Sequence, residues 1–286
     1  MAARILLLCL ALLGSVRFTG PAEVWLPGIV STEASEIKPA FSPRGDRVLW
    51  GSTNRRGGPG GWDIWESVRA GAGWSPPRPV SFNSPSKDFD PCFAPDGSGV
   101  YFFSNRPGGM GGDDLYFAPF AAGTYGTAVN LGPAVNSAGD EWAPLPTPDG
   151  RRLIFSSNGR GGSGGQDLFI AQRGREGWGS PEPLPGAVNS PEDDFDAALL
   201  HDGRTLVFTR KGPEAEGCDL YLADLMPDGY GEPRRLGPEV NEAGGWNLGP
   251  AVNPAEPGVL YFSSSRRGGR GLADILRVPY APARVR

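Results

Sequence analysis

Short runs of apolar residues, most of them β-branched or aromatic, recur along the chain between turns rich in glycine, proline and aspartate. RVLW (47–50), GVYFF (99–103), RLIF (152–155), TLVF (205–208) and VLYF (259–262) have strand length and no polar alternation. They therefore predict strands buried on both faces. A turn precedes each one: FSPRGD (41–46), FAPDG (93–97), PTPDG (146–150), LLHDG (199–203) and VNPAEPG (252–258). Proline pre-sets φ for the first turn position and glycine accepts positive φ later in it. A loop of Ser, Asn, Arg and Gly comes next, then a strand that starts at an aspartate: Asp63, Asp114, Asp167, Asp219 or Asp274. A glycine–aromatic step at Trp74, Tyr125, Trp178 and Tyr230 leads into a fourth strand. That strand ends in LGPAVNS (131–137), LPGAVNS (184–190) or LGPEVNE (236–242), with the looser PVSFNS (79–84) in the first repeat.

The unit repeats about every 53 residues, over 36–87, 88–140, 141–193, 194–246 and 247–280. Four antiparallel strands per repeat make one propeller blade. The fifth repeat lacks its fourth strand, and 23–35 supplies it, since WLPGIVSTEASE (25–36) reads like PLPGAVNSPEDD (183–194) with Ser31 in place of the asparagine. The expectation is an all-β, five-bladed propeller of four-stranded antiparallel blades, one domain over 23–286, whose last blade is closed by the N-terminal strand. Closure removes the open strand edges that template aggregation.

The PxFSPDG-like turns, the SxRxGGxGxxDLY-like loop and strand and the LGPxVNS-like endings together resemble the WD40-like propeller repeat of TolB-type periplasmic proteins. The resemblance covers roughly residues 25–280. TolB itself has six blades and a separate N-terminal domain, and many relatives fuse such repeats to a peptidoglycan-binding domain. This chain shows five repeats and no stretch for either addition, so the role of TolB is not carried over.

Gly 44 and Pro 30 in 286 residues would suggest disorder if they were not periodic; here they punctuate strands. Arg4 followed by ILLLCLALL (5–13) reads as a secretory signal over 1–22, cleaved near residues 20–22, because nine apolar residues fall short of the about 20 that span a bilayer. The product is expected to be periplasmic or extracellular, without a transmembrane segment, and monomeric. The full sequence has a net charge of −5, and losing Arg4 and Arg17 with the signal makes it more negative still, which gives no footprint for nucleic acid. Cys92 and Cys218 fall at different repeat positions and read as small apolar residues rather than a disulfide.

Inner strands of a propeller line its channel, so the leading residues Glu36, Asp88, Glu141, Asp194 and Asn247 are expected around one mouth. Two positions on lie Lys38, Asp90, Ala143, Asp196 and Gly249. The candidate binding set is Glu36, Asp88, Asp90, Glu141, Asp194, Asp196 and Trp246. Two readings of these acids stay open. They form an acidic mouth for Ca²⁺, a cationic peptide or a sugar, or they cap turns and bond backbone amides between blades. Trp246 is either an exposed platform or a space-filler beside Leu248. The strand-initial aspartates read as acceptors for loop N–H groups, while Arg55, Arg106 and Arg266 pair with such acids or stay solvated. His201 is the only histidine, so no Ser-His-Asp triad or typical zinc site is expected. The glycine strings GGPGG and GGMGG lack the GK[ST] ending of a nucleotide loop. No catalytic set, metal site or cofactor is assigned, a structural Ca²⁺ aside. The function expected is a non-catalytic propeller that recognises a protein or a cell-envelope glycan. The alternative is a glycoside hydrolase using carboxylates from different blades, such as Asp88, Glu141 and Asp194.

Overall fold

A computed structural model describes residues 16–282, and the apolar run at 5–13 lies outside them. The described residues form strands, turns and loops with no helix. Five antiparallel sheets succeed one another around a ring. The inner strands are Ser35–Phe41, Asp88–Phe93, Glu141–Pro146, Asp193–Leu199 and Asn247–Val252. Second strands follow at Arg47–Thr53, Gly99–Ser104, Arg152–Ser157, Thr205–Lys211 and Val259–Ser264. Third strands run over Trp62–Ala70, Asp114–Ala121, Asp167–Gly174, Asp219–Met226 and Asp274–Pro282. The fourth strand is broken into two short pieces, such as Gly73–Trp74 and Arg78–Pro79, which both pair with the third. A proline-containing connection interrupts it, and an outermost strand tolerates the missing N–H.

Closure takes place as the repeat count demands. Glu23–Val24 and Val16–Phe18 pair with Asp274–Pro282 and complete the fifth blade. Trp25, Val30 and Ser31 are buried, and Trp25 packs edge-on against Phe41, Trp74 and Tyr261 across the seam between the fifth and first blades. The contacts of Trp25, Val30 and Ser31 lie beyond residue 22, the last residue of the expected signal, whereas the paired segment Val16–Phe18 lies within it.

Three polar devices recur around the ring. In the first, the asparagine of the repeat's ending clamps the N–H and C=O of one residue of its own third strand. Asn136 Oδ1 accepts from Leu115 N at 2.8 Å and its Nδ2 donates to Leu115 O at 3.0 Å. Asn83, Asn189 and Asn241 repeat this on Ile64, Leu168 and Leu220. Ser31 substitutes with one hydroxyl, which accepts from Ile275 N and donates to Ile275 O, each at 3.1 Å. In the second, the strand-initial aspartate gathers loop N–H groups, as Asp167 does from Ser163 and Gly164 at 2.8 and 3.0 Å. The loop must lie close for this: a Cβ on Gly164 would sit 2.0 Å from Glu192 O. Asp219 departs from the rule, because its loop lacks the glycine string, and pairs with Arg235 instead at 2.7 Å.

The third device corrects the reading of the arginines. They do not pair with the strand-initial aspartates. Arg55, Arg106, Arg160, Arg210 and Arg266 each donate to a carbonyl of the segment entering the blade, at Val30, Phe82, Val135, Val188 and Val240. Arg106 and Arg210 also hold the leading acids Asp88 and Asp194, and Arg55 approaches Glu36 at 3.6 Å. Burial lowers the pKa of Arg55, Arg160 and Arg266 below the usual guanidinium range. Both cysteines are free, and burial pushes the Cys92 thiol up to about 11 and that of Cys218 to about 12, which leaves neither reactive.

The seam gives a direct test of closure. Deleting residues 22–31 is expected to abolish the cooperative melt of the parent. Trp25→Ala is expected to cost about 3–5 kcal/mol in denaturant unfolding, as large aromatic truncations in cores do. A deletion variant that unfolds at the parental midpoint contradicts the split blade.

Candidate functional site

Each inner strand carries a β-bulge just after its leading residue, where pairing with the second strand shifts register. At the bulge Lys38, Asp90, Ala143 and Asp196 adopt φ of 52, 49, 52 and 53°, and Gly249 has φ 60°. Four side-chain-bearing residues in the left-handed region cost about 1–3 kcal/mol each, strain the surrounding sheets must hold. Proline follows four of these five positions, at Pro39, Pro91, Pro144 and Pro250, where the inner strand faces the channel and owes no ladder bond on that side.

The bulge distributes three successive residues to three places. Glu36, Asp88, Glu141, Asp194 and Asn247 are fully buried at the entry to the blade. Each acid accepts from the residue four positions earlier: Thr32 N to Glu36 at 3.0 Å, Ser137 N to Glu141 and Ser190 N to Asp194 at 2.8 Å each, and Ser84 likewise to Asp88. Asn247 reverses the polarity and donates Nδ2 to the carbonyls of Glu242 and Cys218. Burial raises the pKa of Glu36 and Asp194 against the pull of these donors. None of the five lines the mouth cavity. Of the candidate binding set, Glu36, Asp88, Glu141 and Asp194 therefore occupy the turn-capping place, and Asp88, Glu141 and Asp194 are not presented together to a glycosidic bond.

The next residues, Ile37, Phe89, Trp142, Phe195 and Leu248, do face the mouth and form an apolar collar. The collar rings touch: Trp142 meets Phe195 edge-on at 6.4 Å, and Phe89 meets the rim Trp62 at 5.0 Å. Trp142 Nε1 donates to Asp113 at 2.9 Å, which fixes the indole's orientation. Trp62 and Trp246 are 42% and 41% exposed, enough to offer a ring face to a ligand. The enclosed volume is about 560 Å³, the size of a small-molecule or oligosaccharide site.

The third tier is the floor. Asp90 and Asp196 line the cavity from non-adjacent blades, and Lys38, which lines the cavity at the other mouth, reaches Asp196. Lys38 Nζ lies 3.3 Å from Asp196 Oδ1, while Asp196 Oδ2 accepts from Gly249 N at 3.1 Å. A Cβ on Gly249 would stand 3.0 Å from the Lys38 backbone, so glycine both reaches the left-handed bulge and lets Lys38 approach. Burial, then the neighbouring Asp196 charge, hold the Asp90 carboxyl well above the usual aspartate range, with Lys38 and the Ala143 N–H only partly offsetting them. Asp90, Asp196 and Trp246 are thus brought together. The collar, Trp62 and Lys38 were not named as site residues from the sequence, although a large apolar residue after every leading residue was the collar's visible signal. Beneath the floor, prolines such as Pro39, Pro91, Pro144 and Pro250 line an apolar cavity of about 390 Å³ at the other mouth. Among the described residues no group of three or more His, Cys, Asp or Glu side chains gathers as a metal site, and no helix is long and apolar enough to cross a membrane.

No family model and no curated protein matches the sequence. Solved structures match the fold. TolB from Acinetobacter baumannii aligns with a TM-score of 0.53 and 16% identity, over 88% of this chain and 56% of its own, so this chain spans little more than half of that protein. A thermostable family-43 glycoside hydrolase gives 0.56 and 10%, over 91% of this chain and 93% of its own. The endo-arabinase from Bacteroides thetaiotaomicron gives 0.54 and 12%, over 94% and 98%. At these identities the likeness establishes a shared fold and no more.

Asp90 yields a pH prediction. It holds its proton more tightly folded than unfolded, so its contribution to stability is complete below the ordinary aspartate value and drains away as pH climbs through the raised folded one. Asp90→Asn is therefore expected to melt higher than the parent at neutral pH, with the gap closing towards about pH 3, below the usual aspartate range. A gap of equal size at both pH values contradicts this.

Proposed function

We propose that this chain is an exported, TolB-like WD40-repeat propeller that binds a cell-envelope glycan, without cleaving it, in the aromatic mouth above Asp90 and Asp196. The carrying observation is the collar itself. Five apolar side chains from five blades surround one opening, with Trp62 and Trp246 exposed on its rim. Sugar rings present flat C–H faces that stack on such aromatics, and the rim carboxylates and lysines supply hydrogen-bond partners for hydroxyls. Export is supported by the signal-like residues 1–22 and by the repeat motifs.

Cleavage is the second reading, and one observation favours it. Burial and the Asp196 charge raise the Asp90 carboxyl well above the usual aspartate range, while Asp196 itself pairs with Lys38, and acids and bases of glycosidases are set apart by such differences in environment. Several of the matching solved structures are glycoside hydrolases. Against it, each oxygen of Asp196 already has a partner, Lys38 Nζ or Gly249 N, and its side chain is almost wholly buried, which leaves neither oxygen uncommitted for attack or aimed at water.

Titration calorimetry with envelope and plant polysaccharide fragments separates the readings. Binding without release of reducing ends is expected, and Trp142→Ala is expected to weaken it by about tenfold, or about 1.4 kcal/mol. Release of reducing ends that Asp90→Asn abolishes would replace the binding reading with the hydrolytic one.

A further inference from the structure

Asp196 and Asp90 differ in one respect that bears on what enters the mouth. Asp196 has its counterion within the protein, in Lys38. Asp90 is 7% exposed, lines the cavity, and among the described residues has no ion-pair partner within 4.0 Å. A buried carboxylate without a counterion is costly, and a ligand can remove that cost by bringing one.

The surroundings select the sign and kind of that ligand. Four carboxylates line the cavity, Asp90, Asp113, Asp193 and Asp196, against Lys87 and Lys211. Lys87 is already 3.8 Å from Asp113. Among the described residues no arginine lines the space, so an anionic group beside Asp90 would face four carboxylates with only the two lysines to hold it. The collar above Asp90 is built of ring faces, whose negative quadrupole attracts cations and offers nothing to anions. The chain uses its rim rings in that way already: Lys87 Nζ stands 5.2 Å from the centre of Trp62 and Lys211 Nζ 5.9 Å from that of Trp246. The inner rings Phe89, Trp142 and Phe195 carry no such cation among the described residues.

We infer that the mouth takes a saccharide that carries a free, positively charged amine, with the ammonium group inside the aromatic collar and against Asp90. The inference rests on the glycan reading and names the part of the sugar that is recognised. An N-acetylated sugar of the same size lacks the charge and would leave Asp90 without a counterion. Binding and ionisation of Asp90 are then linked, since the ligand stabilises the carboxylate it pairs with.

Calorimetry at one pH, where the amine is charged, tests it with the β-1,4-linked glucosamine tetramer and its fully N-acetylated counterpart. The free-amine tetramer is expected to bind at least about tenfold more tightly, and Asp90→Asn is expected to remove that preference. Equal affinities, or a preference that survives in Asp90→Asn and so comes from the overall negative charge, overturn the inference and leave the glycan reading standing. Should neither tetramer bind, the glycan reading fails, and the cationic site is read from choline against its neutral isostere 3,3-dimethylbutan-1-ol. A preference for choline that Asp90→Asn abolishes upholds an ammonium site, and equal or absent binding of the pair overturns it. Melting curves of Asp90→Asn without ligand keep a loss of fold separate from a loss of recognition.

Discussion

An arginine largely enclosed between two blades sets the register of this ring. In each repeat the guanidinium that follows the second strand reaches a carbonyl of the incoming segment, and in most it also reaches or faces an acid. Neither partner is cheap to bury: desolvation opposes the charge on Arg55, Arg160 and Arg266 and on Glu36 and Asp194. Such pairs add little net stability over well-packed apolar residues, but breaking one leaves an unpaired charge in the interior. Their effect is on geometry. The only arrangement that satisfies the guanidinium places the connection, the inner strand and the loop in one register, so each blade is set relative to the next. The aromatic strands then supply the burial, as in the packing of Phe102, Tyr116 and Phe82.

The same register explains why the mouth is apolar where the sequence suggests an acidic one. Strand periodicity alone puts a residue and its second neighbour on the same face. On that basis Asp88 and Asp90, or Asp194 and Asp196, belong to one acidic ring. A left-handed residue at every bulge breaks the alternation. The leading acid turns back into the blade interface to meet its arginine and serine, the following aromatic turns to the opening, and the left-handed residue drops to the floor. No local motif announced the bulge, because Lys38, Asp90, Ala143 and Asp196 share neither size nor polarity. The proline after most of them was the nearest signal, and it reads equally well as an edge-strand residue.

What was legible followed from repetition. Five turns, five buried second strands and five strand-initial aspartates specified the blades and their number, and the displaced WLPGIVS segment specified the closure; that Ser31 takes over the asparagine's clamp came from the structure. Single-copy interactions were not legible. The Lys38–Asp196 pair joins residues 158 positions apart on different blades, and nothing in either repeat marks its partner. The arginines were visible but read as either paired with the strand-initial aspartates or solvated, whereas chain entry from the preceding blade brings the leading acids and the carbonyls of Val30, Phe82, Val135, Val188 and Val240 closer in space.

Symmetry also shows where selection for something other than folding has acted. The turn-capping tier keeps its chemistry around the ring. Its one departure is compensated, since Asn247 replaces the acid and Glu242, replacing the serine, supplies a charge near Arg266. The floor tier does not keep its chemistry: a lysine, two aspartates, an alanine and a glycine occupy equivalent, equally strained positions. A scaffold needs only residues that tolerate the left-handed bend, for which glycine would be the least costly choice at all five. Placing charges there, inside a narrow channel and away from bulk water, adds desolvation to backbone strain. That combination is stable only because the ring over-determines the inner strands, and it concentrates the molecule's unspent electrostatic energy at the bottom of its aromatic opening.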